Sequence, residues 1–254
     1  GSRLTLRRLG LNPTRTALLS ALLRMGAGIV EKVEEPLPEP IGTVYVEGGP
    51  ELRATTVGGR EIPALIDEIP ILAAAAALAK GITEIREAEE LRHKESDRLA
   101  VMAKNLRLFG VPVEERPDGL AIEGGRSLVG AEVESHGDHR IAMSCAILGL
   151  LAKGKTLVKD TDCIETSYPG FAKQIALLQE LGQALAARQQ ALGRGVEVRG
   201  ELGEGGHLAV LRELQLDGAG DLLHRLDLRR RTDAADRQTD VNGRADALVE
   251  QLGL

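Results

Sequence analysis

The sequence predicts an α/β (α+β) protein built from repeated βαβαββ units, and three observations carry that prediction. A helix-like apolar segment closing on Ala-Lys-Gly and followed by a strand occurs twice. The copies are Ala79-Lys80-Gly81 before 82–88 and Ala152-Lys153-Gly154 before 155–159, 73 residues apart. Helix-like patterns also end in Leu-x-x-Gly or a close relative three times, at Leu23 to Gly26, Arg107 to Gly110 and Gln179 to Gly182. Glycine there suits the left-handed residue that ends a helix. After the first two, strand-like segments come in pairs, 28–34 with 43–47 and 111–115 with 119–123.

Joined in order, residues 52–123 read as strand, helix, strand, helix, strand, strand. Residues 131–182 repeat that order and stop before the last hairpin, and residues 4–47 supply the latter part of an earlier copy. Units of this kind bury one sheet face against helices and share a core when stacked. The two repeated helices are apolar around most of their surface. One carries Leu72, Ala75, Ala76 and Ala79, the other Ile141, Cys145, Leu148 and Ala152, which fits helices enclosed between sheets.

Composition sets the bounds. The chain has 254 residues, enough for one large domain or two small ones. Hydrophobic residues make up 43% and aromatic residues 2%, so Leu, Ile, Val and Ala must build the core. A formal net charge of -6 argues against a nucleic-acid partner held by bulk electrostatics. The longest apolar runs, 69–79 and 141–152, are short of the roughly 20 residues that span a bilayer, so no membrane partner is expected. Cys145 and Cys163 match no metal or redox spacing, and reduced thiols in a cytoplasmic protein are the expectation. No secretory pattern opens the chain, and the initial Gly1-Ser2 without Met suggests a cloning scar or the edge of an excised fragment.

Beyond about residue 184 the composition shifts. The stretch 184–254 holds ten Arg and no Lys, and the last aromatic residue is Phe171. A domain over 1–183 and a tail over 184–254 outside the repeat are therefore expected, the tail disordered or marginally helical, with short amphipathic helices at 208–216 and 244–252. Removing it is expected to leave the unfolding midpoint nearly unchanged. A shifted reading frame of GC-rich DNA and an ordinary charged extension both fit this composition.

Three charged clusters fall where a strand or loop gives way to an apolar helix. They are Asp67-Glu68 with Pro70 in the opening turn, His93-Lys94-Glu95-Ser96-Asp97-Arg98, and Gly137-Asp138-His139-Arg140. Helix N-termini attract anions, and Lys94, Arg98 and Arg140 add charge there. Arg grips carboxylate or phosphate with two parallel hydrogen bonds. Asp67 and Glu95 are candidate proton carriers beside such an anion site. Each cluster has a plainer reading. Asp67 and Asp138 suit N-caps, Lys94 and Arg98 suit a solvated helix face, and His139 suits a satisfied core histidine. The same placement three times over favours a shared site, because equivalent helix ends in stacked repeats lie on one side.

Lys94-Glu95-Ser96-Asp97-Arg98 resembles the KESDR/KETDR motif of EPSP synthases, and Asp138-His139-Arg140-Ile141-Ala142-Met143 resembles their DHRxAM motif. Asp67, fourteen residues before the Gly of Ala-Lys-Gly, matches their catalytic aspartate, and Gly10 to Arg15 and Thr166 to Pro169 resemble further stretches. The match is collinear from about residue 4 to 182. The resemblance implies one domain of the enolpyruvyl transferase inside-out barrel, with the active site in a cleft between two such domains. It implies transfer of the enolpyruvyl group of phosphoenolpyruvate to the 5-hydroxyl of shikimate 3-phosphate, with phosphate released and no metal or organic cofactor. By carry-over, Asp67 accepts the hydroxyl proton and Glu95 delivers and recovers a proton at the methylene carbon. Arg98 and Arg140 hold phosphoenolpyruvate, while Lys94 and His139 bind substrate.

Two departures stand out. Thr166 occupies a position where many relatives have Lys, and nothing in the chain matches the family's N-terminal Lys, its Gly-rich GNAGT-like loop or its shikimate-phosphate serines. The missing N-terminal domain is thus the partner needed to complete the site, and the chain alone is expected to be inactive. The alternative is a non-catalytic α/β anion-binding module. A relative acting on UDP-N-acetylglucosamine is disfavoured, since that branch lacks the Lys-Glu-Ser-Asp-Arg motif in this form.

Overall fold

The computed structural model describes residues 3–49, 51–180, 197–202 and 211–217. The first unit runs β1 (Arg3–Gly10), α1 (Ala17–Arg24), β2 (Gly28–Glu35) and β3 (Ile41–Glu47). The second runs β4 (Thr56–Val57), α2 (Ile62–Leu65), α3 (Ile69–Leu78), β5 (Gly81–Ile85), α4 (Arg98–Leu108), β6 (Val113–Arg116) and β7 (Gly119–Gly124). The third has β8 (Glu132–Glu134), α5 (His139–Gly149), β9 (Leu157–Lys159), α6 (Asp162–Ser167) and a helical stretch over 171–180. This is the βαβαββ order read from the sequence, complete in the second unit.

Local chemistry sets the element ends. Gly26 and Gly110 take φ of 90° and 85°, conformations an L side chain resists, so α1 and α4 stop where the sequence places a glycine. The N–H of Ala27 reaches Leu22 O, and that of Val111 reaches Leu106 O, both at 3.0 Å, which recovers carbonyls the helix ends would leave unpaired. Gly182, the third such position, lies outside the described residues.

The second sheet has the order β4-β5-β7-β6, with β4 parallel to β5 and the other pairs antiparallel. The third unit holds only the parallel pair β8-β9. Leu72, Ala73, Ala76 and Ala77 of α3 are fully buried, as are Ile141 and Ala142 of α5. Enclosed helices were the reading of their all-round apolar surface, and they form the centre of the core with Leu99, Leu106 and Phe109. Cys145 is buried there as a free thiol, and burial pushes its pKa up to about 12. Among the described residues no helix is long and apolar enough to cross a membrane.

The described residues within 184–254 depart from expectation. There, β10 (Glu197–Leu202) and β11 (Leu211–Asp217) are strands, and β11 takes the place of the amphipathic helix expected over 208–216. The helix expected over 244–252 lies outside the described residues. β10 pairs in parallel with β1, from Arg3↔Glu197 to Arg7↔Glu201, and β11 pairs with β10 antiparallel. The first sheet thereby reads β11-β10-β1-β3-β2. β10 stands to β1 as β4 stands to β5. The physical reason is the outer edge of β1, whose backbone N–H and C=O groups accept a strand of almost any composition. Deletion of 186–254 is therefore expected to lower the unfolding midpoint by more than about 4 °C and to promote self-association. Calorimetry and light scattering on the two lengths check this, and equal midpoints would show that these strands add nothing.

Candidate active site

The site begins with how the loop before α4 is held. A 3-10 turn over Glu89–His93 brings Arg92 against the β6-β7 hairpin. Its Nε donates to Pro117 O at 2.7 Å and its Nη2 to Arg116 O at 2.6 Å. Its Nη1 donates to Asp97 Oδ2 at 2.8 Å and to Glu115 Oε1 at 3.1 Å. Asp97 in turn caps α4, its Oδ1 accepting from the N–H of Ala100 at 3.0 Å. Residues 92–98 are thus pinned to a hairpin on one side and a helix end on the other. Within α4, Asn105 Nδ2 donates to Glu134 O at 2.8 Å, which fixes the helix against β8 and so against the turn leading into α5.

Asp138 opens α5. Its Oδ1 accepts from the N–H of Arg140 at 2.9 Å, while its Oδ2 accepts from Ser96 Oγ at 3.1 Å and Arg98 Nε at 2.8 Å. One carboxylate therefore joins the ends of α4 and α5. Asp67 lies in the turn between α2 and α3. That helix starts with no side-chain cap, so neither Asp67 nor Glu68 is spent on its end. The Asp67 carboxylate instead faces three guanidinium groups, Arg98 at 3.4 Å, Arg140 at 3.6 Å and Arg15 at 3.9 Å. Arg140 Nη1 also donates to the main-chain O of Asp67 at 2.8 Å.

Arg98 is the hub. Its side chain is 1% exposed, and it reaches Asp138 through Nε, Asp67 through Nη1 and Glu95 through Nη2, the last at 2.6 Å. A buried guanidinium loses its water, and three carboxylates compensate. Burial pushes the Asp138 carboxyl up, but the bonds from Arg98 and from two α5 N–H groups outweigh it and hold the group below its ordinary value. Glu68 moves the other way, because burial outweighs the charges of Arg140 and Arg15 and raises it.

Of the residues named from sequence, the fold brings Asp67, Glu95, Arg98 and Arg140 into one cluster. Lys94 is turned aside and pairs with Glu90. His139 is half-buried at the first position of α5, and no hydrogen bond or ion pair joins it to the cluster among the described residues. The solvated-face reading of Arg98 is contradicted by its burial. Arg15 and Glu68, named from sequence in a motif and in a charged cluster, gain their roles only here, as does the bridging role of Asp138. The role of Arg15 has no local signal, because its partner is 52 positions away in the chain. Among the described residues no group of three or more His, Cys, Asp or Glu is placed to hold a metal ion.

Three guanidinium groups and four carboxylates thus meet around the starts of α3, α4 and α5. The profile of the EPSP synthase (3-phosphoshikimate 1-carboxyvinyltransferase) family matches residues 1–175. This chain belongs to the EPSP synthase family. A curated 3-phosphoshikimate 1-carboxyvinyltransferase of Akkermansia muciniphila is 55% identical over 178 residues, covering 69% of this chain and 41% of that protein. One from Gloeobacter violaceus is 54% identical over 180 residues, covering 70% and 41%. A solved EPSP synthase from Acinetobacter baumannii superposes with a TM-score of 0.65 at 38% identity, covering 68% of this chain and 41% of that one. The EPSP synthase fold accounts for the repeated units, and the chain matches about 41% of the length of these relatives.

Proposed function

We propose that this chain supplies one side of an active site that moves the enolpyruvyl group of phosphoenolpyruvate onto the 5-hydroxyl of shikimate 3-phosphate and releases phosphate. The observation that carries this reading is the single cluster in which Asp67 and Glu95 both contact Arg98, with Arg140 alongside. Addition and elimination need a base, an acid and anion clamps, and need no nucleophile on the enzyme. In the first step Asp67 takes the proton of the 5-hydroxyl as its oxygen bonds to C2 of phosphoenolpyruvate. Glu95 protonates the methylene carbon. In the second step Glu95 takes a proton back from the new methyl group, and phosphate leaves with the C–O bonding pair and takes up the proton held by Asp67. Arg98 and Arg140 hold the carboxylate and phosphate, and Lys94 and His139 bind substrate where the second domain closes over them. The reaction needs no metal or organic cofactor. Reduced cysteines and a cytoplasmic location belong to the same reading.

The charges of the cluster support the need for a second domain. Four carboxylates, those of Asp67, Glu68, Glu95 and Asp138, stand against three guanidinium groups, those of Arg15, Arg98 and Arg140, so this side alone offers no surplus positive charge to two phosphorylated substrates. Charge attraction across open water is weak in any case. The purified chain is expected to release no phosphate from the two substrates, and adding an N-terminal half from a relative should restore release. Phosphate release by the chain alone would show that the site is complete without the other domain. No release with any N-terminal half favours the non-catalytic anion-binding module.

A further inference from the structure

We propose that Glu95 is an internal stand-in for the ligand: its carboxylate occupies the position on Arg98 that a ligand carboxylate takes, and it swings off when that ligand binds. The inference rests on the reading of Arg98 as an anion clamp. Nε, Nη1 and Nη2 of Arg98 each meet a carboxylate, and the side chain is 1% exposed. An anion reaches so buried a guanidinium by taking one of those places.

The three carboxylates differ in what holds them. Asp138 is fully buried and also accepts from Ser96 and from the N–H groups of Arg140 and Ile141, so moving it would undo the start of α5. Asp67 is fixed through its main-chain oxygen to Arg140 and faces Arg140 and Arg15 as well. Glu95 has Arg98 as its one ion-pair partner among the described residues, and its side chain is 51% exposed. It also comes from the loop before α4, so a rotation about its own side-chain bonds releases it without moving a helix. Water receives the displaced carboxylate, which keeps the exchange inexpensive. The vacated place is the Nη2 nitrogen, a charged donor that suits one oxygen of a ligand carboxylate. The exchange also turns the Glu95 carboxyl loose beside the bound ligand, which links occupation of the clamp to release of the acid–base group.

The test uses this chain and phosphoenolpyruvate as the probe, with binding followed by calorimetry and by the guanidinium nitrogen signals of Arg98. Glu95→Gln keeps the size of the side chain and removes the competing charge. It is expected to tighten binding about five- to tenfold, the value of a partly exposed ion pair no longer to be broken. Glu123→Gln removes an exposed carboxylate of β7, the partner of Arg126, without vacating Arg98, and should change affinity less than about twofold. In the parent chain the Arg98 signals should shift as the ligand is added. Unchanged or weaker binding by Glu95→Gln, no binding by that variant, or equal tightening by Glu123→Gln would overturn the exchange. The readout is binding and not turnover. Failure here leaves the proposed reaction standing, and failure of the two-domain complementation leaves the exchange standing.

Discussion

Asp67→Asn and Glu95→Gln, each placed in an enzyme completed with its second domain, are expected to lower the catalytic rate by about 10²- to 10⁴-fold. Both amides keep the size of the carboxyl group and neither can carry the proton. The two variants should nonetheless differ in binding. Asp67→Asn leaves Arg98, Arg140 and Arg15 facing a neutral amide, so phosphoenolpyruvate affinity should change little or rise. Glu95→Gln vacates the clamp and should lower the apparent Michaelis constant for phosphoenolpyruvate while the rate falls. Steady-state kinetics on both, with thermal unfolding alongside, separate chemistry from folding. Unchanged rates with lowered melting temperatures would make both residues structural.

The second large effect concerns stability. Arg98→Ala would remove the partner of a fully buried carboxylate, and breaking a buried pair in this way costs about 3–5 kcal/mol. The loss should depend on pH with a definite sign. In the parent chain the folded Asp138 carboxyl lies below its ordinary value, so its contribution is fully present above the unfolded value and fades as pH falls through the folded one. Without Arg98, burial is left to dominate and the folded value rises above the unfolded one. The variant then gains on the parent as acid protonates the carboxyl. Urea unfolding at pH 7 and near pH 4 should show the gap closing. A double variant with Asp138→Asn should cost less than the two single costs combined, since the amide is not an unpaired charge. A pH-independent gap, or a single-variant cost under about 1 kcal/mol, would show that Arg98 is a spectator. The burial of Arg98 also changes how its loss would be read in kinetics. Weaker substrate binding by Arg98→Ala would mix a lost clamp with a disturbed junction between α4 and α5.

Much of the fold was legible because its signals are local. Gly26 and Gly110 mark helix ends through a backbone demand confined to one residue. Ala-Lys-Gly recurs because β5 and the segment before β9 follow equivalent helices. The strand β10 was not legible, since what makes it a strand is the open edge of β1 and not its own residues. The site divides in the same way. Charged groups at helix starts point to Asp67, Glu95, Arg98 and Arg140, because the helix end itself favours anions. Lys94 and Arg98, four apart, look alike in sequence, yet one pairs with exposed Glu90 and the other is buried among three carboxylates. That difference comes from Asp67 and Asp138, which lie 31 and 40 positions away. The role of Arg15 is illegible for the same reason, since Asp67 lies 52 positions away.

The parallel pairing of β1 with β10 has a kinetic side. Arg3 stands opposite Glu197, so this contact closes a loop of roughly 190 residues, whereas the β6-β7 hairpin closes on Arg116 opposite Gly119. Contacts between such distant parts of a chain form slowly, because the entropy of closure is lost before any bond repays it. The second unit, with its hairpin and its enclosed α3, can assemble from near neighbours while the chain still lengthens. The pairing of β1 with β10 must wait for residues almost 200 positions later, well after the second unit is in place.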